Sequence, residues 1–418
     1  MKVTLRYYLF YSCVSLCLLT VSGCKTHEQV TFKTPVDTTD KVIVNQVKQT
    51  FELKDLGVYV SNEFDGARLN GFNKLNDSTG QLSVYPENEP INNSAYYAFK
   101  AWSKESRPFY FSFHYPKGYK HRYLPKLKIN DKWVIMDSSQ VFKKDYIVTV
   151  KVQLSTDPII IAAQEIETSG DVNNWVTNLI KDKESIVSYT TFGKSRLGKN
   201  LKVLNISKGD VKNKDVIILL TRQHPPEVTG YYAFQNFLKT ILENSELSDE
   251  FLSKYHVIAF PLMNPDGVDS GHWRHNMGGV DLNRDWSVYN QPEIKQTVSY
   301  INKTLKKNNS KLILGLDFHS TFHDVFYTNV ERDRTTLPNF ISEWFNGIED
   351  NIPGYKVNED SANSDKPVSK GWFLYGHNAV GITYEIGDAT SKEDIQMVGS
   401  VSAVQMMKIL TQSNKSIN

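Results

Sequence analysis

The chain has 418 residues, 40% of them hydrophobic, with Lys+Arg 48 against Asp+Glu 46 and a formal net charge of +2. This near balance, without a long basic run, excludes nucleic acid as a partner. Cys13, Cys17 and Cys24 are the 3 cysteines; the chain beyond Cys24 has no internal disulfide or thiolate metal ligand, but is long enough to be held by its own core, as two domains.

Lys2 and Arg6 form a basic n-region ahead of the apolar stretch from Tyr7 to Thr20, which is too short for a spanning helix. Val21-Ser-Gly-Cys24 is similar to a bacterial lipobox. Residues 1–23 therefore read as a lipoprotein signal peptide, and that likeness implies cleavage before Cys24 and lipidation of its thiol. The expected location is the bacterial cell envelope, anchored by lipid to a membrane and facing periplasm or exterior. Residues 24–48, polar with Thr-Pro and Thr-Thr-Asp, read as a tether.

Residues 49–166 are β-rich. Phe109-Tyr-Phe-Ser-Phe-His-Tyr115 alternates, with Phe109, Phe111 and Phe113 on one face. Lys132–Met136 and Tyr146–Leu154 are further strand candidates, and Gly, Asn, Asp and Pro clusters break the runs at short intervals. That pattern predicts an antiparallel β-sandwich, with the aromatic stripe in its core.

The text changes near Ser169-Gly170, and residues 167–418 form the second predicted domain. Val172, Trp175, Val176, Leu179 and Ile180 lie on one helical face. Gly193-Lys-Ser-Arg-Leu-Gly-Lys-Asn200 approaches a phosphate-binding loop, but Asn200 replaces the magnesium-binding hydroxyl and a strand comes next where a helix must open. Nucleotide binding is excluded on that ground. Apolar runs at Val216–Thr221, Val257–Leu262, Leu312–Leu316 and Val380–Tyr384 read as buried strands, with helices marked by Tyr231 to Ile241 and Ile395 to Met407. The expected fold is α/β, with a central mixed sheet and helices on both faces.

His224, His319 and Glu385 fall at or just past the ends of strand runs, where ligands bind in open α/β sheets, and Glu227 lies three residues after His224. Pro225-Pro226 stops a helix from running through His224 and lets Glu227 open the next one. Two imidazoles and a carboxylate, with a fourth position left open, make the ligand set of a catalytic rather than a structural zinc site. After the His224-x-x-Glu227 pair come Asn264-Pro-Asp-Gly267, Trp273-Arg274 and Gly279-Val-Asp-Leu-Asn-Arg-Asp-Trp286, and near the C-terminus Thr383-Tyr-Glu385.

This ordered set resembles the M14 zinc carboxypeptidases, in wording closest to the cytosolic-carboxypeptidase-like branch, where a β-sandwich also precedes the peptidase domain. The resemblance implies one Zn²⁺ held by His224, Glu227 and His319. It implies that Asp281 hydrogen-bonds the first histidine ligand, and that Glu385 is the general base that deprotonates the attacking water and protonates the leaving amine. Arg274 matches the arginine that steadies the oxyanion. Asn283 and Arg284 match the pair that binds the substrate's terminal carboxylate, a task suited to a planar bidentate guanidinium.

The expected activity is hydrolysis of the C-terminal amide bond of a peptide. Alternatives are trimming of peptidoglycan stem peptides, with a muropeptide as substrate, or an inactive surface binding protein. Some positions depart from the family pattern. The loop before the base lacks the family's mobile tyrosine, leaving Tyr355 and Tyr375 as stand-ins. Gly371 stands near the position that sets side-chain preference and supplies no charge. Lys366 and Lys370 read as solvated loop lysines, and His323 as structural rather than a fourth ligand.

Overall fold

The computed structural model describes residues 29–413; Cys24 and the signal text lie outside them. The first part of the chain builds two packed sheets. Their strands are β1 (Thr50–Leu53), β2 (Val58–Ser61), β3 (Gly71–Asn76), β4 (Thr79–Ser83), β5 (Ala98–Ser103), β6 (Arg107–His114), β7 (Lys126–Ile129), β8 (Lys132–Ile135), β9 (Val141–Lys144), β10 (Ile147–Leu154) and β11 (Ile159–Ala162). One sheet has the order β1-β2-β5-β11-β7-β8 and the other β3-β4-β6-β10-β9. Pairing is antiparallel apart from β4, which runs parallel to β6. Phe109, Phe111 and Phe113 are buried in the shared core with Phe99, Val150 and Ile161, so the aromatic stripe is packing.

The second part is a mixed eight-stranded sheet in the order β12-β13-β15-β14-β16-β19-β17-β18. Its strands are β12 (Val187–Lys194), β13 (Asn200–Ile206), β14 (Asp215–Thr221), β15 (Tyr255–Phe260), β16 (Leu312–Thr321), β17 (Val325–Tyr327), β18 (Glu359–Asp360) and β19 (Val380–Gly387). The glycine-rich text 193–200 joins β12 to β13 as an antiparallel hairpin. β15, β14, β16 and β19 form the parallel centre, and their continuous apolar runs follow from burial on both faces.

The helices are α1 (Ser169–Leu179), α2 (Val228–Ile241), α3 (Glu246–Lys254), α4 (Pro265–Asp269), α5 (Pro292–Asn308), α6 (Phe340–Asn351), α7 (Ser369–His377) and α8 (Lys392–Ser413). Val172, Phe234, Phe251, Trp344 and Val398 carry α1, α2, α3, α6 and α8 onto one face of the sheet. Ile294, Ile301, Trp372 and Phe373 carry α5 and α7 onto the other.

Two differences from the sequence reading matter for the site. His319 and Glu385 lie within strands rather than past their ends, because β16 and β19 continue pairing through Thr321 and Gly387, with His319 opposite Glu385. The described part of the expected tether is also not free. Phe32 is buried under α7, Thr34 N–H bonds Asp365 O at 3.0 Å, Thr38 Oγ1 donates to Asp285 at 2.5 Å, and Val44 N–H reaches Glu87 O at 2.7 Å. Short apolar and hydroxyl side chains spaced along this polar stretch strap it across both parts of the molecule. Among the described residues no helix is long and apolar enough to cross a membrane.

Candidate active site

The parallel centre of the sheet and the start of α2 bring the three predicted ligands together. β14 ends at Thr221, and Arg222 follows with a left-handed φ of 58°, an unusual conformation for a non-glycine residue and one that recurs at functional sites. The prolines then carry the chain to Glu227, the N-cap of α2, whose side chain makes no capping bond and so is available to the site. Gly230, one turn into α2, lets the helix lie against β16: a Cβ there would sit 2.1 Å from the carbonyl oxygen of His319.

His224, Glu227 and His319 are buried, and one ligand atom from each lies within 4.8 Å of the others. His224 Nδ1 is 2.8 Å from Glu227 Oε1, His319 Nδ1 is 2.6 Å from Glu227 Oε2, and the two Nδ1 atoms are 3.1 Å apart. The opposite ring nitrogens face carboxylates. His224 Nε2 lies 2.8 Å from Asp281 Oδ1, and His319 Nε2 lies 2.9 Å from Asp317 Oδ2.

A carboxylate can only accept, so each Nε2 carries hydrogen, and a ring that is neutral then turns its Nδ1 lone pair inward. Two lone pairs and a carboxylate then converge on one point. Such a set is repulsive unless a cation or protons occupy it, and the donor set fits zinc. Electrostatics agree. Burial pushes the Glu227 carboxyl up, but His224 and His319 outweigh it and hold it well below the usual range. Burial pushes His319 down, and Asp317 and Glu227 outweigh it, so its basicity is well above normal.

Arg274, Asn283, Arg284 and Glu385 line the same cleft of about 450 Å³. Arg274 Nε donates to Asp281 Oδ2 at 2.8 Å, and its Nη1 is 3.7 Å from Glu227 Oε1. Asp281 caps the 3₁₀ turn Leu282–Arg284 by accepting from Asn283 N–H at 2.9 Å. Arg284 Nη1 donates to Asn283 O at 2.7 Å. Glu385 Oε2 is closed off from solvent with no hydrogen-bond partner. Burial and the neighbouring Glu227 charge push the Glu385 carboxyl up to about 8.

Several residues of the site were not found in the sequence. Asp317 is fully buried and also accepts from Gln223 Nε2 at 2.5 Å and from Ser369 Oγ. The alternation Asp317-Phe-His319 could have revealed it, since residues two apart share a strand face. Lys370 corrects the solvated reading: only 1% exposed, it lines the cleft, donates to Thr328 O at 2.7 Å, and burial lowers its ammonium to about 7. Lys366 is half-buried. Tyr355 and Tyr375 do not line the cleft, whereas Tyr327 on β17 does. Gly371 packs under Phe32, 2.6 Å from where a Cβ would stand. His323 is exposed and outside the ligand group. Asn92, Asn93, Lys120 and Arg122 extend the cleft wall from the sandwich. Arg122 Nε bonds Asp388 Oδ2 at 2.7 Å and its guanidinium lies 4.5 Å from the Phe322 ring centre.

Comparison with known proteins gives concordant results. The M14 peptidase family, described as zinc carboxypeptidase, matches residues 172–389. Mouse cytosolic carboxypeptidase 3 is 32% identical over 128 residues, 29% of this chain and 12% of that protein. Human cytosolic carboxypeptidase 2 is 34% identical over 113 residues, 25% of this chain and 12% of that protein. The matched segment is thus a small part of these curated relatives. A solved metallo-carboxypeptidase from Burkholderia cenocepacia shares the fold over 84% of this chain and 99% of its own, with TM-score 0.70 at 13% identity.

Proposed function

The chain belongs to the M14 zinc carboxypeptidase family, and from that premise we propose that it is a zinc-dependent metallocarboxypeptidase that hydrolyses the C-terminal amide bond of peptides. The observation that carries the reading is the clustering of the His224 and His319 Nδ1 atoms with the Glu227 carboxylate in one buried site. His224, Glu227 and His319 would hold the ion, with Asp281 and Asp317 fixing the imidazole tautomers. Zinc in such a site supplies Lewis acidity, acidifying water and polarising a carbonyl.

The other residues divide the remaining work. Glu385 accepts the proton of the attacking water and passes it to the leaving amine. Without metal its carboxyl is raised to about 8 by burial and the Glu227 charge; a cation held by the ligands would favour its ionised form, which is the form that can accept a proton near neutral pH. Arg274 donates to the oxygen on which negative charge develops. Its Nε is occupied by Asp281, so the Nη groups are the ones that can serve. Asn283 and Arg284 bind the substrate's terminal carboxylate, Arg284 through a planar fork. That these groups share one cleft favours an enzyme over the inactive binding-protein alternative. Stem peptides of peptidoglycan, which also end in carboxylates, are the alternative substrate class.

Carboxylate recognition gives a direct test. A C-terminally amidated peptide is expected to lose about a hundredfold or more in kcat/KM relative to the free acid, the scale of a lost charged, bidentate contact. Equal turnover of acid and amide would refute the roles of Asn283 and Arg284.

We also propose an envelope location through lipidation of Cys24, supported by the lipobox text Val21-Ser-Gly-Cys24. The full-length protein should partition into the detergent phase and Cys24→Ala should not; aqueous partitioning of both would refute the anchor.

A further inference from the structure

The segment that carries Arg274 is gripped from the sandwich side. Glu87, between β4 and β5, is fully buried. Its carboxylate accepts three successive backbone N–H groups: Trp273 on Oε2 at 2.7 Å, and Arg274 and His275 on Oε1 at 3.0 and 2.7 Å. Asn88 extends the grip. Its Oδ1 is 2.7 Å from His275 Nδ1, and its Nδ2 donates to Gly279 O at 2.9 Å. Gly279 has a left-handed φ of 69°, and a Cβ there would stand 2.6 Å from Asn88 Nδ2, so only glycine admits this approach.

The side chain next to Arg274 belongs to the sandwich as well. Trp273 is fully buried within the sandwich core, edge-on to Tyr115 and Tyr119 at 6.1 and 5.4 Å. Charge-assisted bonds from three adjacent amides fix the backbone more tightly than neutral ones would. Removing the acceptor would leave buried N–H groups without partners, which the segment can relieve only by moving. Burial works against a charged Glu87, but His272, Arg68 and His275 outweigh it and keep the carboxyl below its ordinary range. Nothing in the peptide-cleaving steps calls for Glu87 itself, which does not line the cleft.

We propose that Glu87 is a positioning residue for Arg274: by fixing residues 273–275 it aims the guanidinium at the developing oxyanion, and the sandwich domain thereby becomes part of the catalytic machinery. The inference rests on the carboxypeptidase reading above. It differs from a purely structural role in what it predicts for coupling, because a group that acts through Arg274 has no effect once Arg274 is gone.

The experiment is a double-mutant cycle on the full zinc-loaded chain with a free-acid peptide. Glu87→Gln keeps the shape but turns an amide donor toward an N–H. It should lower kcat by about tenfold or more, with KM and bound zinc unchanged, and should add no loss in an Arg274→Ala background. Hydrogen exchange at amides 273–275 should rise in the same variant. If Glu87→Gln does not fold, Asn88→Ala loosens the same segment through His275 and Gly279 and enters the same cycle. An unchanged kcat, or an equal loss in both backgrounds, would overturn the assignment while leaving the carboxypeptidase reading intact. A zinc-loaded wild type that cleaves nothing would overturn both.

Discussion

Glu385→Gln should fold and load zinc as the wild type does while kcat falls by about a hundred- to ten-thousandfold, the range that general acid–base catalysis contributes. The substitution is nearly isosteric, and Glu385 Oε2 has no partner to lose, so no buried hydrogen bond is broken. Stability should hold or improve at neutral pH. The folded carboxyl is raised to about 8 from an ordinary 4.5, so the fold favours its protonated form. In the metal-free chain this costs stability as pH rises from about 4.5 through 8, and the amide has no such cost. Zinc content and circular dichroism check the fold, and steady-state kinetics check the loss. A variant that kept wild-type kcat would remove Glu385 from the proton-transfer role.

Removing the ligands should have an equally large effect by a different route. Glu227→Ala withdraws the one carboxylate between two inward-facing Nδ1 atoms; it should abolish stoichiometric zinc and leave only background hydrolysis. Asp281→Asn, which leaves the ligands but disturbs the tautomer of His224, should weaken zinc by about 10- to 100-fold. The same geometry sets the pH dependence. Without metal, Glu385 is raised to about 8 and His319 is raised well above its usual value by Asp317 and Glu227 against the pull of burial. Both therefore hold a proton at neutral pH, and a cation at the site displaces both. Zinc affinity should rise with pH through the neutral range, with about two protons released per ion at pH 7 and about one in Glu385→Gln. Calorimetry in buffers of different ionisation enthalpy counts them; zinc uptake without proton release would contradict this picture.

The ligands were legible because their chemistry is local. His224 and Glu227 sit in one short turn stiffened by two prolines, and His319 and Glu385 end apolar runs whose strand character is evident from composition. The parallel register that sets His319 beside Glu385 follows from strands whose order in the sheet the chain does not spell out. The sandwich core was equally plain, since Phe109, Phe111 and Phe113 alternate with more polar neighbours. What stayed hidden depends on distant parts of the chain meeting. Glu87 reads as a polar loop residue until it is seen on the amides of Trp273, Arg274 and His275. Lys370 reads as a solvated cation until Thr328 O and the cleft wall surround it. The stretch from residue 29 to 48 has the composition of a tether and only its scattered contacts, such as Phe32 under α7 and Thr38 on Asp285, make it a strap.

The most direct test of a zinc carboxypeptidase is mass spectrometry of a mixed pool of peptides and muropeptides after incubation with the zinc-loaded chain, alongside Glu385→Gln. Loss of single C-terminal residues by the wild type alone is the predicted result, and the residues lost would reveal its preference and its substrate class. Stoichiometric zinc with no product from either protein would contradict the account.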